Sequence, residues 1–255
     1  MTIDHLQQAQ DFIIAQFKLA RPKLLEAFGN IDETIKGDLT VVTQLDKQIE
    51  QDLRDACKKF DPSIGFVGEE YGQAGNADTF WLIDPIDGTE SFIRGIPFAR
   101  NIVTLIEAGK PVMVVVYKFV TDEWFTAIAG QGAFKNGQAI HCSQRPLSRT
   151  WVELSSPFTD PTAVPVINAV RKLTNGYRMI GDFTLTAEGK VDALLLYKTA
   201  GGDWDCAPRA LLMQEAGAKV ANIGSTEYDY KNHDFLAANP AIFDELMAAI
   251  VEARR

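Results

Sequence analysis

Between residues 4 and 28 the apolar positions Leu6, Ala9, Ile13, Ile14, Phe17 and Leu24 recur at helical spacing, and Gly29 stops the run. Thr43 to Phe60 repeats the pattern as a second amphipathic helix, closed by Asp61-Pro62. The period then changes. Residues 64–67, 80–83, 101–107, 112–118 and 123–128 are short runs punctuated by glycine or proline, which predicts strands. Gly109-Lys110 and Asn136-Gly137 mark tight turns. Residues 142–165 are rich in Ser, Thr and Pro and hold no long periodic run. A boundary between two subdomains, 1–145 and 146–255, is expected there. Beyond it, 163–174 and 183–188 predict helices, 191–197 a buried strand, and 204–216 a helix stopped by Gly217. Residues 234–238 predict a last strand, and 240–254 a terminal helix with Pro240 in its first turn. Meander strands first and alternating α and β later predict a layered, mixed α/β fold.

Composition narrows the function classes. Of 255 residues, 46% are apolar and 23% charged, which excludes a disordered, collagen-like or coiled-coil chain. Twenty-five Lys and Arg against 34 Asp and Glu give a net charge of −9. Such a surface repels nucleic-acid backbones and anionic lipid, so neither is expected as a partner. The N-terminus lacks a basic signal-peptide region, and the longest apolar runs, such as 112–117, are strand-sized. A cytoplasmic protein is the expectation. Cys57, Cys142 and Cys206 are scattered with no CxxC pair, and read as small core hydrophobes in a reducing compartment.

The chemistry concentrates in Trp81-Leu82-Ile83-Asp84-Pro85-Ile86-Asp87-Gly88-Thr89-Glu90-Ser91-Phe92. An apolar strand is expected to end at Asp84. A second aspartate follows three residues later, and Gly88-Thr89 opens a helix. Two carboxylates facing one cleft are costly unless a cation compensates them. Oxygen-only donors select hard cations such as Mg²⁺. The Gly88 and Thr89 amides at the helix start would receive an anion beside that metal. The plainer alternative is a surface turn in which both aspartates cap the helix. An aspartate-nucleophile hydrolase would carry Asp-x-Asp, whereas here two residues separate the aspartates. Glu69, at the end of Phe66-Val67-Gly68, could complete a site with Asp84. Asp205 stands at a predicted helix N-terminus. Asp46 opens the second helix, where an exposed helix-face charge is the plain alternative, and Asp203 reads as a cap.

Together Gly68-Glu69-Glu70, Asp84-Pro85-Ile86-Asp87-Gly88-Thr89 and Trp204-Asp205-x-Ala207 with Glu215-Ala216-Gly217 resemble the inositol monophosphatase family. The resemblance continues through Lys36, Thr43-x-x-Asp46, Phe92, Gly95, Pro97 and Gly132-Ala133-Phe134-x-Asn136-Gly137, spanning residues 30 to 240. It implies a layered αβαβα sandwich, as in the inositol monophosphatases and fructose-1,6-bisphosphatases, and Mg²⁺-dependent, Li⁺-inhibited phosphomonoester hydrolysis. It also implies two or three Mg²⁺ ions. Glu69, Asp84 and the Ile86 carbonyl would hold the first, and Asp84, Asp87 and Asp205 the second. A weaker third would lean on Glu69. Thr89, hydrogen-bonded to Asp46, would help Glu69 activate the attacking water, and the Gly88 and Thr89 amides would hold the phosphoryl oxygens. The family is often dimeric, so a homodimer is expected. His5, His141 and His233 lie outside every motif and read as structural.

The expected substrate is a small phosphorylated metabolite of the inositol-1-phosphate kind. The substrate wall departs from the family, with Gly181-Asp182-Phe183 where Gly-Ser/Thr-Ala is frequent. Lys198 stands where inositol-preferring members place a glutamate. A lysine cannot accept from sugar hydroxyls but can pair with a second anion, which brings fructose 1,6-bisphosphate and 3′-phosphoadenosine 5′-phosphate forward. Asp182 keeps histidinol phosphate open, and Lys198 pointing to solvent would select nothing. A catalytically weak regulatory or binding protein is the alternative from another class. A structural Ca²⁺ site is disfavoured because the acids come from distant segments.

Overall fold

The computed structural model describes residues 1–35, 41–156, 160–178, 181–199 and 201–254. They form two compact units, one of residues 1–129 with 135–137 and one of residues 130–134 with 138–255. Lys36 lies outside the described residues.

In the first unit, α1 (Ile3–Ala27) buries Leu6, Ala9, Ile13, Phe17 and Leu24. A short antiparallel pair, β1 (Glu33–Ile35) and β2 (Val41–Thr43), leads into α2 (Gln44–Phe60), which buries Ile49, Leu53 and Cys57. Six strands follow: β3 (Gly65–Gly68), β4 (Gly72–Ala74), β5 (Thr79–Asp87), β6 (Arg100–Glu107), β7 (Lys110–Lys118) and β8 (Glu123–Ile128). They lie side by side in the order β8-β7-β6-β5-β3-β4, and only β3 and β5 run parallel. The apolar stripes of α1 and α2 share one core with Trp81, Ile83, Val103, Leu105, Val115 and Tyr117 of the strands. Between β5 and β6 sits the short helix α3 (Thr89–Ile93). Next in chain order are β9 (Ala133–Lys135) and β10 (Gln138–Ile140), and between them Asn136 and Gly137 of the first unit both take the positive φ of a tight turn.

The second unit contains β11 (Trp151–Ser155), α4 (Val164–Leu173), β12 (Gly176–Arg178), α5 (Thr184–Ala187) and β13 (Ala193–Leu196). It continues with α6 (Asp203–Glu215), β14 (Lys219–Asn222), β15 (Phe235–Ala238) and α7 (Pro240–Ala253). The sheet order is β12-β11-β13-β15-β14, with β11 parallel to both its neighbours. Val166 and Val170 of α4, with Ile242, Leu246 and Ile250 of α7, pack on Val152, Leu154, Leu195 and Leu236 of the sheet. β11 falls inside the stretch read from sequence as a boundary. It is only five residues long, and the Ser, Thr and Pro around it hide the alternation of Val152 and Leu154. The three cysteines are buried free thiols, as expected. No helix among the described residues is long and apolar enough to cross a membrane.

Candidate active site

β5 does not end at Asp84, as the sequence suggested, but runs on to Asp87. In a regular strand, residues three apart face opposite sides. Here Asp84 pairs with Ile102 and Asp87 with Arg100, so three steps on β5 match two on β6. The extra residue is a β-bulge, and it shifts the alternation by one. Both carboxylates therefore come to one side, with ligand oxygens within 4.8 Å of each other, and both residues are buried. Pro85 has no N–H to lose from the ladder. Its carbonyl accepts a hydrogen bond from Asn101 Nδ2 at 2.5 Å, and Asn101 is wholly buried. Opposite Asp87, the buried Arg100 places Nε 2.5 Å from Asp87 Oδ2. Neither Arg100 nor Asn101 was singled out in the sequence, because a polar pair heading an apolar strand looks like an ordinary strand entry.

Gly88 follows at φ +83 and caps α3, and a non-glycine residue would be strained in that left-handed conformation. Thr89 Oγ1 stands 3.0 Å from the Ile86 carbonyl and 3.3 Å from Asp46 Oδ1. It has one proton for two acceptors, so it donates to one at a time. Asp46 is buried, unlike the exposed helix-face charge that was its plain alternative. Its Oδ2 accepts from the Thr43 amide at 2.9 Å and from Thr43 Oγ1 at 2.5 Å, closing a capping box that leaves Oδ1 toward Thr89. Burial raises the Asp46 carboxyl above its ordinary value, against the lowering effect of the Thr43 hydrogen bonds.

Glu69 is carried just past β3, and its amide donates to the Ile83 carbonyl at 3.2 Å, which sets its backbone beside Asp84. The loop that presents it is pinned by Glu50 of α2, which is fully buried. Glu50 Oε2 accepts from the Glu70 amide at 2.7 Å and Oε1 from the Tyr71 amide at 2.9 Å. This contact explains Gly68, since a Cβ there would lie 2.1 Å from Glu50 Oε1. Glu50 was missed in the sequence because a glutamate within an amphipathic helix ordinarily faces solvent.

In the second unit Asp205 occupies the first turn of α6. Its Oδ2 accepts from the Gly202 amide at 2.9 Å and its Oδ1 from Arg209 Nη2 at 3.0 Å. The Arg209 guanidinium also lies over the ring of the buried Phe183, 5.5 Å from its centroid. Asp182 is buried and accepts from Thr184 Oγ1 at 2.7 Å and from the Thr184 amide at 3.3 Å, while Gly181 precedes it at φ +72. Lys198 does not simply point to solvent. Its Nζ stands 3.2 Å from Asp160 Oδ2 and bonds Thr162 Oγ1. Two of the matched motifs meet at Glu215, whose carboxylate accepts from the Gly130 and Gly132 amides, each at 2.8 Å. Asp203 pairs with His233, and His5 with Asp61, so these histidines have structural partners.

The inositol monophosphatase family profile matches residues 5–255. The chain belongs to the inositol monophosphatase family. Members of the inositol monophosphatase family are phosphatases that hydrolyse phosphate monoesters, and so is this protein. Human inositol monophosphatase 1 is 30% identical, over 98% of this chain and 96% of its own. A fructose-1,6-bisphosphatase/inositol-1-monophosphatase from Thermotoga maritima is 29% identical over 95% of each. The structure of an extragenic suppressor protein from Bartonella henselae superposes with a TM-score of 0.87 at 27% identity, over 95% of this chain and 98% of that one. The expected fold class, the mixed α/β architecture of inositol monophosphatases, is therefore the one this chain has.

Proposed function

We propose that this family member hydrolyses the phosphate monoester of a small polyol or sugar, of the inositol-1-phosphate kind, with Mg²⁺ as its metal. The observation that carries the reading is the bulge on β5, which sets two buried aspartates within 4.8 Å of each other. Like charges so placed favour a bound cation, and their all-oxygen donors suit a hard divalent ion. Glu69, Asp84, the Ile86 carbonyl and Asp87 would hold metal from the first unit. The family motif adds Asp205 of the second, for two or three ions in all. Bound there, Mg²⁺ supplies Lewis-acid activation of water and charge stabilisation of the departing alkoxide.

The chain's own groups do the rest. Glu69 accepts a proton from the attacking water. Thr89, by giving its single proton to Asp46 rather than to the Ile86 carbonyl, turns a lone pair outward to orient that water. The Gly88 and Thr89 amides hold the phosphoryl oxygens in line for attack. Gly181, Asp182, Phe183 and Lys198 would form the substrate wall. Asp182 and Lys198 already have partners, and a second phosphate on the substrate would compete with Asp160 for Lys198. That favours a monophosphate over a bisphosphate. The reading includes a homodimer, on the family resemblance, and a cytoplasmic setting, on the scattered, unpaired cysteines.

The test is phosphate release with Mg²⁺, and with EDTA as control, from inositol 1-phosphate, histidinol phosphate, fructose 1,6-bisphosphate, 3′-phosphoadenosine 5′-phosphate and glycerol 2-phosphate. Mg²⁺-dependent release with preference for the polyol monophosphates is expected. Release that survives EDTA would remove the metal from the mechanism. Silence on every compound would favour a regulatory binding protein.

A further inference from the structure

Two of the aspartates read above as metal ligands each carry an arginine of their own unit. In the first unit Arg100 stands on β6 at the register position opposite Asp87, with Nε 2.5 Å from Oδ2. Both side chains are almost completely enclosed. In the second unit Arg209 stands one helical turn beyond Asp205, with Nη2 3.0 Å from Oδ1, and is steadied by the Phe183 ring beneath its guanidinium. The two pairs arise from unrelated local geometry, one across a bulged ladder and one along a helix face. Both set a fixed positive charge on a carboxylate that the proposed reaction needs for metal.

A guanidinium in this position has two effects on a divalent cation. It neutralises the carboxylate beforehand, so that a buried acid is not left uncompensated while no ion is bound. It also engages one carboxylate oxygen and repels a second positive charge at short range. We infer that Arg100 and Arg209 are built-in counter-cations. They hold Asp87 and Asp205 in place in the metal-free protein and keep the affinity for Mg²⁺ low, so that ion and guanidinium compete for the same acids. This rests on the assignment of Asp87 and Asp205 as metal ligands.

The experiment is calorimetric titration of the full-length protein with Mg²⁺, together with thermal unfolding in EDTA and in saturating Mg²⁺. Wild type is compared with Arg100→Met and Arg209→Met. Each substitution is expected to lower the unfolding temperature in EDTA, to tighten the Mg²⁺ Kd about tenfold, and to enlarge the Mg²⁺-induced rise in unfolding temperature. Arg209, the less enclosed of the two, serves as the deciding site should Arg100→Met fail to fold. A folded Arg209→Met protein that binds Mg²⁺ no more tightly than wild type overturns the inference. Wild type that takes up no Mg²⁺ overturns the proposed function with it, whereas wild-type binding with unaltered variants overturns the counter-cation role alone.

Discussion

Gly68→Ala tests how Glu69 is presented. The added Cβ would lie 2.1 Å from Glu50 Oε1, 2.3 Å from its Cδ and 2.7 Å from Oε2, so the whole carboxylate must move. Glu50 is fully buried on α2, and moving its carboxylate aside draws it off the Glu70 and Tyr71 amides it serves at 2.7 and 2.9 Å. Hydrogen bonds to a charged acceptor contribute about 1.5–3 kcal/mol each, so losing both costs about 3 kcal/mol even at the low end. For a chain of this size that corresponds to about 6–12 °C in unfolding temperature. The measurement is thermal unfolding of Gly68→Ala, Glu50→Ala and the double variant. Glu50→Ala removes the obstacle as well as the bonds, so the double variant should be scarcely less stable than Glu50→Ala alone. Additive losses, or a Gly68→Ala protein as stable as wild type, would show that the Gly68–Glu50 contact does not hold this loop. Phosphate release by Gly68→Ala should fall too, because the displaced loop carries Glu69.

Three further outcomes are expected. Asp87→Asn should abolish phosphate release and also lower stability by about 3 kcal/mol, because it takes the counter-charge from a buried arginine; enzyme assay and calorimetry read the two losses separately. Thr89→Val should cut turnover about 100-fold while lowering stability by only about 1 kcal/mol, since Asp46 keeps both Thr43 bonds, and Thr89→Ser should restore most of the rate. The Glu50 carboxyl is raised by burial above its ordinary value of 4.5, so the folded state holds that proton to higher pH than the unfolded chain does. Its contribution to stability is then fullest below 4.5 and is lost as pH rises through the raised value. Glu50→Gln cannot ionise, so its unfolding temperature relative to wild type should improve on going from about pH 4 to about pH 7.

The helices α1 and α2 and the strands β5 to β8 could be read from periodicity alone, because each buries one continuous face or core run. The aspartates of β5, Glu69, Thr89 and Asp205 were legible as a motif set, since their residue types and spacing are local. What escaped depends on register between distant segments. Glu50 meets the loop after β3 only through the packing of α2. Arg100 meets Asp87 only because β6 pairs antiparallel with a bulged β5. β11 lies between β12 and β13 in its sheet, yet five residues amid Ser, Thr and Pro carry too little alternation to announce it.

The bulge also sets which kinds of genetic change the site can survive. An altered side chain at Pro85 or Ile86 leaves Asp84 and Asp87 facing the same way, because the residue count between them is unchanged. Removing a single codon there would restore an unbroken pleat with the aspartates two residues apart, and both carboxylates would still share a face. Straightening the strand with its present residue count would instead turn the second carboxylate to the opposite face, since pleat alternation counts residues and not their identities.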